Sequence, residues 1–359
     1  LGDVYKRQPQ LPTAGHGKRL RHMKNGCLIV NLGSPDEPTE NAIRAFLAAM
    51  LSDRCVVNLP PALWKPILHG IVLRVRPRKL VDRYRAIWTP NGSPLAVITQ
   101  QQCDMLQQAL PNVDVKYAFC ASSPTIEEVL TDWDIDTLTI IPLYPQFATS
   151  TVTPVVDRVL NFYDALDHRT QGSDKDRSHR ETPAHPYLRF VPSFATEAHM
   201  IGWYHRQIET CLRTGECDHL LLSFHGVPNQ RYHLAAHYKA QCCATRDAIA
   251  DAYPNLPVSM SFQSKFGPGE WLGPATRQRV TELPQEGVSN LVVATPAFVA
   301  DCLETLGEVG LDYREQFLAA GGQSYRVISP INADPAFTHT LVSLYQSVEN
   351  TSPAPLCMG

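Results

Sequence analysis

Short, continuous apolar runs recur along the chain, each separated from the next by a stretch long enough for a helix. The runs are Cys27–Asn31, Val113–Phe119, Leu138–Leu143, Leu188–Val191, Leu220–Ser223, Val258–Phe262, Leu291–Ala294 and Tyr325–Ser329. Between them, Glu40–Leu51, Pro94–Leu110, Ala195–Leu212, Ala240–Ala252, Pro274–Leu283 and Pro335–Val348 read as helices. Strand and helix alternating in this way predict an α/β protein with parallel sheets, in two sets of about four strands. Because the runs are continuous rather than alternating, both faces of each sheet should be covered by helices.

A polar, charge-dense segment without periodicity, Asp167–Pro183, reads as the seam between two domains. The expected division is an extension over 1–24, a first domain over 25–166, a linker loop over 167–185 and a second domain over 186–333. A helix over 334–350 should pack back on the first domain, before a tail over 351–359. The opening Leu1–Gln8 resembles a translated cloning scar and is left out of the fold.

Composition adds exclusions. With 44% hydrophobic and 19% charged residues and a net charge of −3, the chain suits a globular protein, and no nucleic-acid partner is expected. Ten cysteines without a repeated spacing, and no recognisable signal peptide, lead to the expectation of free thiols in a reducing, cytoplasmic setting. No apolar run approaches the roughly 18–20 residues that span a bilayer.

Ligands of open α/β sheets bind beyond the carboxyl ends of the strands, and that is where the unusual residues gather. Leu32-Gly33-Ser34-Pro35 follows the first run, Tyr144-Pro145-Gln146-Phe147 the third, His225-Gly226-Val227-Pro228 the fifth, and Pro296-Ala297-Phe298 the seventh. One cleft shared by both domains is expected. His225 ends an apolar run and precedes a glycine that permits close approach, and an imidazole both accepts protons and binds metal near neutral pH. A buried, hydrogen-bonded histidine is the alternative. Asp301, Glu304 and Glu308 at i, i+3 and i+7 should line one helix face, either as a wet, metal-attracting stripe or, for the first two, as acids at a helix N-terminus. His233, His237, Cys242 and Cys243 do not match a zinc spacing. Neither a phosphate-binding loop nor a serine-hydrolase elbow is present.

Several ordered blocks resemble the ferrochelatase family over roughly residues 25–345. Leu222-Ser223-Phe224-His225-Gly226-Val227-Pro228 is similar to the block around the family's catalytic histidine. Phe262-Gln263-Ser264-Lys265-Phe266-Gly267 with Trp271-Leu272 resembles the next block, and Pro296-Ala297-Phe298 through Asp301-Cys302-Leu303-Glu304-Thr305-Leu306 the one that carries its glutamate. Upstream, Asn31–Pro35, Leu51–Arg54, Tyr84 with Gly92-Ser93-Pro94, and Leu143–Phe147 follow in order.

The resemblance implies two Rossmann-like, chelatase-type domains and a lyase that inserts Fe²⁺ into protoporphyrin IX in haem biosynthesis. It makes His225 and Glu304 the pair that handles metal and pyrrole protons from opposite faces of a distorted porphyrin, with Asp301 and Glu308 in support. Leu32, Arg54, Ser93, Tyr144, Trp271 and Phe298 become porphyrin-binding residues, Arg54 and Ser93 near the propionates. Leu32 stands where the coproporphyrin-using branch has tyrosine, which points to protoporphyrin IX. Iron is then a substrate, and no permanently bound cofactor is expected. Thr149 stands where animal relatives have a cluster-ligating cysteine and the tail offers only Cys357, so no animal-type iron–sulfur cluster is expected. The Leu63–Val72 helix, with Arg74, Arg76, Arg78 and Lys79 after it, would form a lip that touches a membrane; by pattern alone it is a packed core helix. Transient contact with the preceding haem-pathway enzyme is also implied. Cys120-Ala121 departs from the family's polar–aromatic pair, and the Gly-Asp pair expected near His233–Tyr238 is missing. A chelatase for cobalt or nickel, and a non-catalytic tetrapyrrole-binding protein, are the rival readings.

Overall fold

The computed structural model describes residues 23–171, 185–229, 232–265 and 269–349. The first 22 residues, the tail with Cys357, and most of the polar segment lie outside the described residues.

Two four-stranded sheets form, and every strand pair is parallel. The first contains β1 (Asn25–Asn31), β2 (Val113–Phe119), β3 (Thr137–Pro142) and β4 (Tyr187–Phe190), in the order β2-β1-β3-β4. The second contains β5 (His219–His225), β6 (Val258–Gln263), β7 (Asn290–Ala294) and β8 (Ser324–Ile328), in the equivalent order β6-β5-β7-β8. The central strands carry continuous apolar runs, with Leu28, Ile29, Val30, Leu220, Leu221 and Leu222 fully buried, as sheets covered on both faces require. In this order the chain leaves β1 for one neighbour and returns on the other side, so β1/β3 and β5/β7 are the switch points where a crevice opens.

The first sheet corrects the expected domain boundary. β4 follows the polar segment yet pairs with β3, from Thr137 opposite Tyr187 to Ile140 opposite Phe190. The chain therefore passes to the second sheet only after β4, and the polar segment interrupts the first unit instead of dividing the two. Its first residues are also helical, because the helix after β3 runs from Val152 to Gln171. Val152, Val155, Val156, Val159 and Tyr163 bury one face of that helix against the first sheet.

In chain order the helices are α1 (Glu40–Ser52), α2 (Pro61–Ile67), α3 (Leu73–Ile87), α4 (Pro94–Ala109), α5 (Ile126–Leu130), α6 (Val152–Gln171), α7 (Ala198–Thr214), α8 (Tyr232–Ala250), α9 (Thr276–Glu282), α10 (Tyr313–Ala319) and α11 (Pro335–Glu349). Local chemistry sets their starts. Thr39 accepts from Ala42 N ahead of α1, and Thr125 with Glu128 closes a reciprocal capping box on α5. Two stretches wind more widely as π-helix: Leu68–Val72 between α2 and α3, and Leu303–Asp312 before α10. Such windings are rare and concentrate at functional sites. The largest core cluster draws on both sheets: Cys27 and Ile29 from the first, Leu220 and Leu222 from the second, joined through α7 and α11. The last helix packs on α4, α7, β3 and β4.

Candidate active site

His225 is the last residue of β5 and the first exposed one, after five buried positions. Its Nδ1 lies 2.7 Å from the carbonyl oxygen of Gly226. A carbonyl only accepts, so Nδ1 carries the proton and the neutral ring keeps Nε2 as an acceptor. The strand end is held from behind. Tyr238 donates to the His225 carbonyl at 2.9 Å, and Gly226 N donates to Gln263 O at 2.8 Å. Beneath, Ser223 bonds Gln263 Oε1 at 2.6 Å and Thr276 at 2.8 Å, with Ser261 on Thr276 at 2.8 Å, all buried. Gly226 is obligatory for a steric reason: a Cβ there would sit 2.7 Å from the Gln263 carbonyl oxygen and 3.3 Å from the Trp271 ring. Trp271 is brought in by an antiparallel bridge to Pro228. Phe298, half-buried after β7, places its ring centre 6.2 Å from that of His225.

The acids do not form the regular helix face that their spacing predicts. Asp301 precedes the π-helix, whose N-cap is Cys302. Its carboxylate is tied on both oxygens, by Thr305 Oγ1 at 2.8 Å and Asn332 Nδ2 at 2.8 Å, while Asn332 Oδ1 receives Asp301 N at 2.8 Å. Burial raises the Asp301 carboxyl above its ordinary range, and the bonds from Asn332 and Thr305 oppose that. Glu304 and Glu308 do share a side of the helix, since at roughly 4.4 residues per turn a four-residue step is close to one turn. Glu308 accepts from Ser264 Oγ at 2.5 Å and from Tyr313 OH at 2.5 Å. Ser264 holds φ at +62°, an uncommon conformation for serine, directly after β6.

Glu304 faces α3, where the sequence reading had assigned no site residue. Burial lowers the Arg76 guanidinium, and the charge of Glu304 works against that. Burial first, then Glu304, raises the Tyr84 phenol. Sequence alone marks Arg76 only as one of the basic residues after Val72 and gives Tyr84 no role. Leu303 and Leu306 of the π-helix pack into the cluster formed by α1, α2 and α3, and Arg83 Nη2 meets Asp312 Oδ2 at 2.6 Å. The π-helix is thereby docked onto α3 and its neighbours.

Leu32, after β1, and Tyr144, after β3, line one small pocket with Met50, Asp53, Val56 and Cys120. Burial raises the Tyr144 phenol well above its ordinary value, so it stays a neutral hydroxyl. Ser93 is buried at the N-cap of α4 and makes no capping bond with its side chain. Arg54 is exposed in the turn after α1. His237, Cys242 and Cys243, whose spacing does not match zinc, have other surroundings. His237 bonds Gln241, Cys242 is fully buried, and the His233 side chain lies outside the described residues. Among the described residues no three His, Cys, Asp or Glu side chains gather to hold a metal.

These features define an α/β protein of chelatase architecture, with polar and aromatic residues at the switch points of both sheets. The fold is shared with SirB from Bacillus subtilis, solved with Fe³⁺, at a TM-score of 0.55 and 9% identity, covering 91% of this chain and 96% of that one. The chain belongs to the ferrochelatase family, whose sequence pattern matches residues 24–349. It is 38% identical over 327 residues to the ferrochelatase of Neisseria gonorrhoeae, covering 89% of this chain and 93% of the relative. It is 34% identical over 317 residues to the coproporphyrin III ferrochelatase of Enterococcus faecalis, covering 88% and 96%. Among the described residues no helix is long and apolar enough to cross a membrane.

Proposed function

We propose that this chain inserts Fe²⁺ into protoporphyrin IX, with His225 and Glu304 acting from opposite faces of a bent macrocycle. The observation that carries the reading is the bond from His225 Nδ1 to Gly226 O, which leaves Nε2 as a proton acceptor at the mouth of the β5/β7 crevice. Insertion releases both pyrrole protons as the iron–nitrogen bonds form. His225 Nε2 takes one. Glu304, across from Arg76, receives the other. Asp301 and Glu308, each tied by two hydroxyl or amide donors, support this pair by fixing the start and the next turn of the π-helix. Iron is a substrate here, and the reading needs no permanently bound cofactor.

Trp271 and Phe298 are the walls of the macrocycle, and bending it draws on contacts remote from the nitrogens. Arg54 and Ser93 suit the propionates: one is an exposed guanidinium, the other opens a sixteen-residue helix whose N-terminus favours anions. The preference for protoporphyrin rests on Leu32. Its pocket is apolar apart from Asp53, Tyr144 and neighbouring hydroxyls, which fits vinyl groups, whereas an extra propionate would be desolvated beside a carboxylate.

Leu59, Leu63, Ile67, Ile71 and Val75 are all exposed and recur every four residues along α2, the π turn and α3, while Trp64, Leu68 and Leu73 face inward. That ridge, flanked by Arg74, Arg78 and Lys79, fits peripheral contact with a cytoplasmic membrane surface or the enzyme that hands over the porphyrin. The name of the E. faecalis relative favours a second reading, insertion into coproporphyrin III. An anaerobic assay with both porphyrins separates them: faster turnover of protoporphyrin IX is expected. Preference for coproporphyrin III overturns the substrate assignment, and no insertion into either overturns the chelatase reading.

A further inference from the structure

Away from the cleft, two exposed imidazoles lie close together on helices that carry none of the candidate site's residues. His199 is near the start of α7 and His339 is in the second turn of α11, their ring centres 5.8 Å apart at 58°. A divalent metal about 2.0–2.1 Å from each ring nitrogen sits roughly 3.2 Å from each ring centre; a tetrahedral angle then separates the centres by about 5.2 Å, and opening towards linear extends this to about 6.4 Å. The observed spacing falls inside that interval.

An independent feature prepares one ring for coordination. Glu197, the N-cap of α7, has a nearly buried side chain and accepts from His199 Nδ1 at 2.8 Å. Its other oxygen accepts from Met200 N at 3.0 Å and from Thr340 Oγ1 at 2.9 Å. A histidine whose Nδ1–H is given to a carboxylate presents a fixed, more basic Nε2, the usual arrangement behind a metal-bound imidazole. Glu197 spends both oxygens in this way, so it orients His199 and is not itself a ligand.

We propose that His199 and His339 form a divalent-metal site for a cation of the zinc, nickel or copper kind, with water completing the shell. Two neutral imidazoles select borderline metals over magnesium or calcium, which prefer oxygen. A metal there ties α11, the helix that packs on α4, β3 and β4, to α7, the helix that leads into the second sheet. Its effect is on stability and not on insertion.

The test is thermal unfolding of the full chain with and without Zn²⁺, repeated for His199→Ala and His339→Ala. Zn²⁺ should raise the parent's melting temperature by several degrees, and each variant should lose that increment while inserting iron at the parental rate. Glu197→Gln should weaken the apparent affinity by about tenfold. Electron paramagnetic resonance of the Cu²⁺-loaded protein gives a second readout: coupling to two imidazole nitrogens in the parent and to one in either variant. No rise in the parent, or an undiminished rise in both variants, overturns the site.

Discussion

The two sheets have one topology and different equipment. β2-β1-β3-β4 and β6-β5-β7-β8 correspond strand for strand in order, and each opens its crevice at the same switch point. At the ends of β1 and β3 the chain places Leu32 and Tyr144, an apolar wall and a hydroxyl kept neutral by burial. At the ends of β5 and β7 it places His225, Phe298 and the acids around the π-helix. The first sheet also carries an insertion between β1 and β2, helices α1 to α4, and the π-helix of the second half packs onto it through Leu303, Leu306 and the Arg83–Asp312 pair. One scaffold used twice can hold a flat substrate between unlike faces. Under the proposed function we assign grip on the porphyrin's substituents to the first half, and the ring walls Trp271 and Phe298 together with the proton chemistry to the second.

The sharpest way to break that division is to remove the proton acceptor. His225→Ala should lower the insertion rate by at least about 1,000-fold, within the range for losing a positioned acid or base. His225 is exposed at a strand end and its carbonyl, not its ring, meets Tyr238, so the variant should keep its circular dichroism and melting temperature. Glu304→Gln should cost about 100-fold while porphyrin binding, followed by fluorescence quenching, is retained. If Glu304→Gln loses binding instead of turnover, the acid belongs to the grip and the division fails.

The position of His225 at a strand end was legible because local sequence carries structural information there. His225 ends a continuous apolar run and precedes a glycine that the structure shows to be sterically required. The strand over Val113–Phe119 matches its prediction residue for residue, with Val113, Val115, Ala118 and Phe119 buried and Asp114 exposed. What failed was long-range. The four residues of β4 could pair with either sheet, and nothing within them reveals that β3 is the partner. Asp301 looked like part of a helical stripe because its real partner, Asn332, is 31 residues away. No residue type announces π-winding, so the geometry of Glu304 and Glu308 and the approach of Arg76 needed coordinates. The α6 helix was passed over because its polar continuation resembled a linker.

The grip is tested by its apolar wall. Leu32→Tyr adds a hydroxyl to the pocket shared by Met50, Val56 and Tyr144. It should shift the ratio of kcat/KM for coproporphyrin III over protoporphyrin IX upward by about tenfold, equivalent to about 1.4 kcal/mol of differential transition-state binding. An unchanged ratio would place the choice of porphyrin elsewhere in the first half, Arg54 and Ser93 being the next residues to replace.

The smallest effect on chemistry is expected from the lip, which belongs to the first half but faces outward. Leu63 and Ile71 are 63% and 61% exposed on the ridge opposite buried Trp64 and Leu68, so replacing them removes no core contact. Each side chain contributes about 1.5–3 kcal/mol when it leaves water for an apolar phase. The double variant Leu63→Ser, Ile71→Ser should therefore reduce co-sedimentation with anionic liposomes by about 100-fold at low salt, where Arg74, Arg78 and Lys79 also attract the surface. In detergent, with porphyrin presented in micelles, its turnover should stay within about twofold of the parent, because neither side chain is among those around His225 or Glu304. Equal loss of sedimentation and turnover would mean that the ridge also shapes the pocket, and the boundary between grip and delivery would move inward to Trp64.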